Sequence, residues 1–168
     1  GRCNITNATF DNRDLLKKYS TAEQFLFSAF SQHDVNSTLN FFHEHRLPTK
    51  VEAENRVFPT SEKAEDVALV MEKYLKDNHV NVKTNIKVTS INTENNQVTS
   101  IRTTAGDFFV KSFIIATGGN SRPETGSTGE GFLWLKDIGH TVITPTPSLV
   151  PIVLKDSWVS ELAGLSIQ

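Results

Sequence analysis

Residues 113–119 read Phe113-Ile114-Ile115-Ala116-Thr117-Gly118-Gly119. Four apolar residues in a row, with no polar alternation, describe a strand buried on both faces, as in a parallel sheet lying under helices. The Gly-Gly that closes the run lets backbone approach a ligand at the carboxyl edge of the sheet, where open α/β sheets bind their ligands. Taken alone, the same ending is equally a tight turn.

The residues before this run are β-formers from Val80 to Val110. Val82, Ile86, Val88, Thr89 and Ile91 come first, then Val98, Ile101, Thr103 and Thr104, then Phe108, Phe109 and Val110. Asn95-Asn96 and Ala105-Gly106-Asp107 supply turn signals between them, so the pattern predicts a three-stranded antiparallel meander over about 80–110. Further upstream, Ala64, Val67, Ala68, Met71 and Leu75 form one apolar stripe and predict a helix over 62–77. Ser61 is its expected N-cap, Glu62, Glu65 and Asp66 suit its first turn, and Asn78 its end. Thr49-Lys50-Val51 and Arg56-Val57-Phe58 read as two short strands, the second ended by Pro59. A helix over about 34–45 buries Val35, Leu39 and Phe42 and is stopped by Pro48. Ser20-Thr21-Ala22-Glu23 fits a capping box ahead of the stripe Ala22, Phe25, Leu26, Ala29 and Phe30. A short helix is expected from Asp14 to Tyr19, and residues 1–7 are polar enough to read as a loop.

After the strand, Gly126-Ser127-Thr128-Gly129-Glu130-Gly131 is a glycine-rich turn before a short helix that carries Leu135 and Ile138 and ends at Gly139. Backbone N–H groups at such a helix start suit a phosphate or a polar ribityl chain. The glycine spacing is not the dinucleotide fingerprint, and no Lys-Ser/Thr follows as in a phosphate-binding P-loop. A flexible surface loop explains the turn as well. The tail, with Pro145, Pro147 and Pro151, reads as extended.

Composition narrows the class. The 168 residues are 38% hydrophobic, 9% aromatic and 21% charged, ordinary for a globular chain and unlike a disordered one. A chain of this length buries roughly 70% of its unfolded surface. Seventeen basic against 19 acidic residues give a formal charge of −2, which argues against a nucleic-acid partner. No apolar run approaches the ~20 residues of a membrane span. No secretory signal pattern is visible, and a cytoplasmic location is expected. One cysteine excludes an internal disulfide and a cysteine-rich zinc site. Cys3 has no identifiable partner base and is not read as a nucleophile. His43 and His45 are two residues apart and point different ways on a helix, so no metal site is expected. No nucleophile elbow or carboxylate pair stands out. The chain opens Gly1-Arg2-Cys3 and its only methionine is Met71, which reads as a processed or cut chain.

Taken in order, five blocks resemble a known family. They are Gly1-Arg2-Cys3-Asn4-Ile5-Thr6-Asn7; Arg56-Val57-Phe58-Pro59-Thr60-Ser61 with Ala64 and Val67; Ala116-Thr117-Gly118-Gly119; Thr125-Gly126-Ser127-Thr128-Gly129-Glu130-Gly131; and Gly139-His140 with Pro147-Ser148-Leu149-Val150-Pro151. They look like the BaiN/HI0933-like flavoproteins, the group that includes aminoacetone-oxidase-like enzymes. The resemblance implies an α/β fold, α+β within this stretch: a partial FAD-binding domain over 1–160 with a helical cluster, the meander and a buried parallel strand at 112–117. It also implies that a strand–Gly-x-Gly-x-x-Gly–helix unit precedes Gly1, and that Ala163-Gly164-Leu165-Ser166 begins an inserted domain, so the chain reads as an internal fragment. By resemblance, Arg2, Asn4, Thr6 and Asn7 lie along the flavin side of FAD. Val88 offers backbone groups to adenine, Thr117, Gly118 and Gly119 approach the adenosine diphosphate portion, and Thr128, Gly129 and Glu130 line the cofactor from the other side. The family pattern has Asp where this chain has Glu130, one methylene longer.

The whole protein is thus expected to be an FAD-dependent oxidoreductase acting on a small molecule. This chain is expected to supply part of the FAD cleft, to be inactive alone and to bind FAD weakly or not at all. An exposed sheet edge at Phe113–Ala116 implies a dimer or a swapped arrangement that covers it. The alternative is a stand-alone, non-enzymatic binding or interaction module. It would be favoured if Phe113–Ala116 were an edge strand and the two glycine loops pointed away from each other, whereas the flavoprotein reading requires both loops and residues 2–7 to converge on one cleft.

Overall fold

The computed structural model describes residues 1–147 and 157–162. The blocks at 148–151 and 163–166 lie outside the described residues. The chain divides into two compact units, Gly1–Lys83 and Thr84–Gln168.

The first unit is organised on a three-stranded antiparallel sheet, β1 (Thr6–Asn7), β2 (Thr49–Glu52) and β3 (Arg56–Pro59), in the order β1-β3-β2. β3 is the central strand, and Val57 at its middle has no exposed surface. Val57 pairs with Thr6 on one side and Val51 on the other. Three helices precede or join these strands: α1 (Asn12–Leu16), α2 (Glu23–Gln32) and α3 (Val35–Glu44). Leu15, Leu16, Val35, Phe42, Leu47, Val57, Phe58 and Pro59 make the core. Among the described residues, every buried large apolar side chain belongs to this unit. α4 (Ala64–Asp77) is the expected long helix, and Tyr74 on it meets the rings of Phe41 and His45 edge-on at 5.1 and 5.2 Å between centroids.

Four local expectations for this unit are corrected. Residues 6–7 are a strand, because Ile5 N–H and Ala8 N–H find the β3-side carbonyls of Val57 and Asn55 at 2.8 and 2.7 Å. The first helix covers 12–16, capped by the Asp11 carboxylate, and runs on as a 3-10 helix over Lys17–Ala22. Ser20 sits inside that stretch at φ 49°, so it lacks the extended backbone of an N-cap, and α2 starts at Glu23 with no side-chain cap. Ser61 caps nothing either. α4 begins at Ala64, whose N–H donates to the Gly1 carbonyl at 2.9 Å, a tertiary partner in place of a local one. By contrast Asp34 is a working cap: its carboxylate accepts from Ser37 N–H and Oγ, both at 2.8 Å.

The second unit contains the expected meander, β4 (Val88–Glu94), β5 (Gln97–Thr103) and β6 (Gly106–Phe108). Asn95 and Asn96 turn between β4 and β5 with φ of 50° and 60°, the two positive values a type I′ hairpin requires. Asn92 Nδ2 donates to the buried Ser100 Oγ at 2.8 Å across that pair. A 3-10 turn (Pro123–Thr125) then leads to α5 (Glu130–Asp137).

The buried parallel strand at 112–117 is not formed. Phe113–Gly119 has no ladder partner among the described residues, and Ile114 is 92% exposed. An apolar run specifies a tendency to be buried. A strand also needs a neighbour to take its N–H and C=O groups, and none of the described strands offers one.

Burial sets the expected mutational ranking. Leu16→Ala should cost about 2–5 kcal/mol by removing a fully buried side chain, whereas Phe25→Ala, at an 85% exposed position, should change stability by no more than about 0.5 kcal/mol. Urea unfolding of the two variants checks this. The Ser37 hydrogen bonds hold the Asp34 carboxyl below its ordinary range. Its contribution is therefore present at neutral pH and lost as pH falls through that lowered pKa. Asp34→Ala should lower the urea midpoint at pH 7 while Ser20→Ala leaves it unchanged, and the Asp34 deficit should shrink toward acid pH.

Candidate functional site

In the second unit, the chain from Ile115 to Gly119 passes against the first turn of α5. Two glycines allow this. Gly129 caps the helix at φ 77°, a left-handed value that strains any residue with a Cβ, and its N–H donates to the Gly119 carbonyl at 3.1 Å. A Cβ on Gly131 would collide with the Thr117 hydroxyl as it is oriented here, so any larger residue would require Thr117 to turn. The two glycine segments singled out in the sequence therefore meet.

Beside this junction an open cleft of about 570 Å³ is lined by Val88, Thr117 and Glu130, three of the expected site residues, together with Asn85, Ile86, Lys87 and Trp134. The four others were missed in the sequence. One signal was there: Trp134 follows Glu130 by four residues, so both share one face of α5. Lys87 adjoins Val88 at the start of the meander, and its backbone exchanges hydrogen bonds with Thr104. Across the cleft, Lys87 Nζ pairs with Glu130 Oε1 at 2.8 Å, while Thr128 Oγ1 donates to Glu130 Oε2 at 3.2 Å. Lys87 holds the Glu130 carboxyl below the usual carboxylate range. The extra methylene of Glu130 is thus spent in reaching a cation. Gly118 lines a smaller cavity of about 150 Å³ with Thr117, Gly131 and Leu135.

Arg2, Asn4, Thr6 and Asn7 belong to the first unit. The Arg2 guanidinium lies 4.0 Å from the centroid of the Phe58 ring and pairs with Glu52 and Glu62, and Lys50 pairs with the same two carboxylates. Asn4 Oδ1 accepts from Val57 N–H at 3.2 Å. Thr6 is in β1. Asn7 Nδ2 donates to the Glu54 carbonyl at 2.9 Å, and its Oδ1 accepts from Thr9 Oγ1 at 2.6 Å. These polar side chains fasten residues 1–7 to β3 and to the connection that precedes it. Cys3 is a free, half-buried thiol. Among the described residues no group of three His, Cys, Asp or Glu side chains is placed to hold a metal ion.

Chemically, the cleft offers an apolar wall of Ile86, Val88 and Trp134, the hydrogen-bonding groups of Asn85 and Thr117, and one cation and one anion. That donor set fits part of a nucleotide-type cofactor: a flat ring carrying hydroxyl and charged substituents.

Known proteins resemble this chain in sequence. The 3-dehydro-bile acid delta(4,6)-reductase of Clostridium scindens is 27% identical over 165 residues, which are 98% of this chain and 39% of that protein. The ribosomal RNA dihydrouridine synthase of Haemophilus influenzae is 39% identical over 59 residues, 34% of this chain and 15% of that protein. The chain thus spans well under half the length of these curated relatives. The family described as HI0933-like protein Rossmann domain matches residues 1–153, and the chain belongs to that α/β family.

Proposed function

We propose that this chain forms part of the FAD cleft of an FAD-dependent oxidoreductase. The observation that carries the reading is the glycine junction, where Gly129 and Gly131 let α5 close on Thr117 and Gly119 beside a nucleotide-sized cleft. Family membership supports it. The same junction weighs against a stand-alone interaction module, which would leave the two glycine loops apart. Bound flavin supplies the redox chemistry. This chain's own residues bind and orient: Val88 and Trp134 face the ring portion, Thr117 donates or accepts at its edge, and the Lys87–Glu130 pair sets the charge at the rim. Neither relative's substrate is carried over. A small-molecule substrate belongs to the proposal, as does a cytoplasmic location; no helix among the described residues is long and apolar enough to cross a membrane.

By the same proposal, residues 1–168 alone bind FAD weakly or not at all and are inactive. They contain no strand–Gly-x-Gly-x-x-Gly–helix, the unit that cradles the pyrophosphate. The purified chain should carry far less than one flavin per chain by absorbance near ~450 nm, a property of the flavin itself. Stoichiometric yellow protein would overturn this.

A second copy of the chain is proposed to cover the apolar segment Phe113–Ala116. There Ile114 is 92% exposed, and backbone without a ladder partner invites pairing. Light scattering at rising concentration should show a dimer, and a monomer throughout would count against it.

A further inference from the structure

Trp134 is half-buried on α5, yet it lines the cleft with Ile86 and Val88. Among the described residues the Trp134 indole N–H has no hydrogen-bond acceptor. The indole and the two aliphatic side chains form an apolar wall on which a flat heteroaromatic ring gains contact without sequence-like specificity. At the rim stands the Lys87–Glu130 pair, with side chains 64% and 37% exposed. An exposed pair of this kind is worth little and is easily exchanged. The Glu130 carboxylate has about four acceptor positions, of which Lys87 and Thr128 take two.

Wall, carboxylate and ammonium match the three parts of a nucleotide: ring, hydroxylated linker and phosphate. We infer that Trp134 is the ring-stacking residue of this cleft and Lys87 its phosphate-binding residue, with Glu130 accepting hydrogen bonds from the linker hydroxyls once Lys87 turns to the phosphate. The inference rests on the cofactor reading above and adds two residues to it. AMP and FMN share this chemistry, one with a ribose and purine, the other with a ribityl chain and isoalloxazine.

The test is an NMR titration of the isotope-labelled full chain with AMP and, separately, FMN, with adenosine and riboflavin as phosphate-free controls. The expected result is a shift of the Trp134 indole N–H, identified by its absence in Trp134→Phe, while the Trp158 indole stays put. Trp134→Leu should weaken the nucleotide that binds roughly tenfold, the scale of one lost stacking contact, and Trp134→Phe should restore most of it. Lys87→Met should abolish the advantage of AMP over adenosine, or of FMN over riboflavin. Nucleotide binding that moves second-unit amides but is unchanged in Trp134→Leu and Lys87→Met would overturn the inference and leave the cofactor reading standing. No shift with AMP or FMN at millimolar concentration would overturn the inference alone, since the cofactor reading has residues 1–168 bind weakly or not at all and is tested by the flavin absorbance of the purified chain. The dispersion of each variant's amide spectrum reports its folding. Should Trp134→Leu lose that dispersion, the Trp134→Phe and Lys87→Met arms decide alone.

Discussion

Gly129 stands at the head of α5 at φ 77°, a left-handed value that strains any residue with a Cβ. That single backbone constraint organises the glycine junction. There the Gly129 N–H donates to the Gly119 carbonyl, and Thr117 and Glu130 line one cleft with Val88. A Cβ at 131 would meet Thr117 Oγ1, the end of a side chain that can rotate, so that contact is the softer of the two. The unit has little core of its own: Ile91, Val98 and Ile101 are only half-buried, and Ser100 is its buried polar side chain. Its site therefore depends on backbone contact more than on packed side chains.

The first unit is built the opposite way. Val57, in the middle of β3, is flanked by strands on both sides and by the Asn4 side chain, and the apolar core gathers around it. Arg2 shows how the opening residues are held. Its guanidinium lies on Phe58 and its charge is matched, with Lys50, by Glu52 and Glu62. Two cations and two carboxylates leave no net charge in that cluster. The polar side chains of the opening residues are, within this unit, largely engaged in holding the segment down.

Much of the fold was legible because its signals are local. Asn95-Asn96 turns the hairpin since both residues tolerate positive φ, and Asp34 caps α3 since its carboxylate reaches amides three residues on. Ser20 and Ser61 carried the same kind of signal and failed. At Ser20 the chain needed a left-handed residue, and at the head of α4 the orphan amide was met by Gly1, more than sixty residues away in sequence. In the site, the glycine segments and Val88 were readable from motif and resemblance. Lys87 and Trp134 were not, because a lysine before a strand and a tryptophan on a short helix are ordinary until a cleft brings them together.

The sequence by itself determined the α/β class, the helices α3 and α4, the meander and the family. All of these rest on patterns within a few residues or on ordered blocks. Only the tertiary structure decided which glycines touch, that Glu130 reaches Lys87, and that Phe113–Ala116 has no ladder partner among the described strands. Each depends on a partner distant in the chain, and hydrogen bonds, ion pairs and strand ladders take their strength from that partner's position in space.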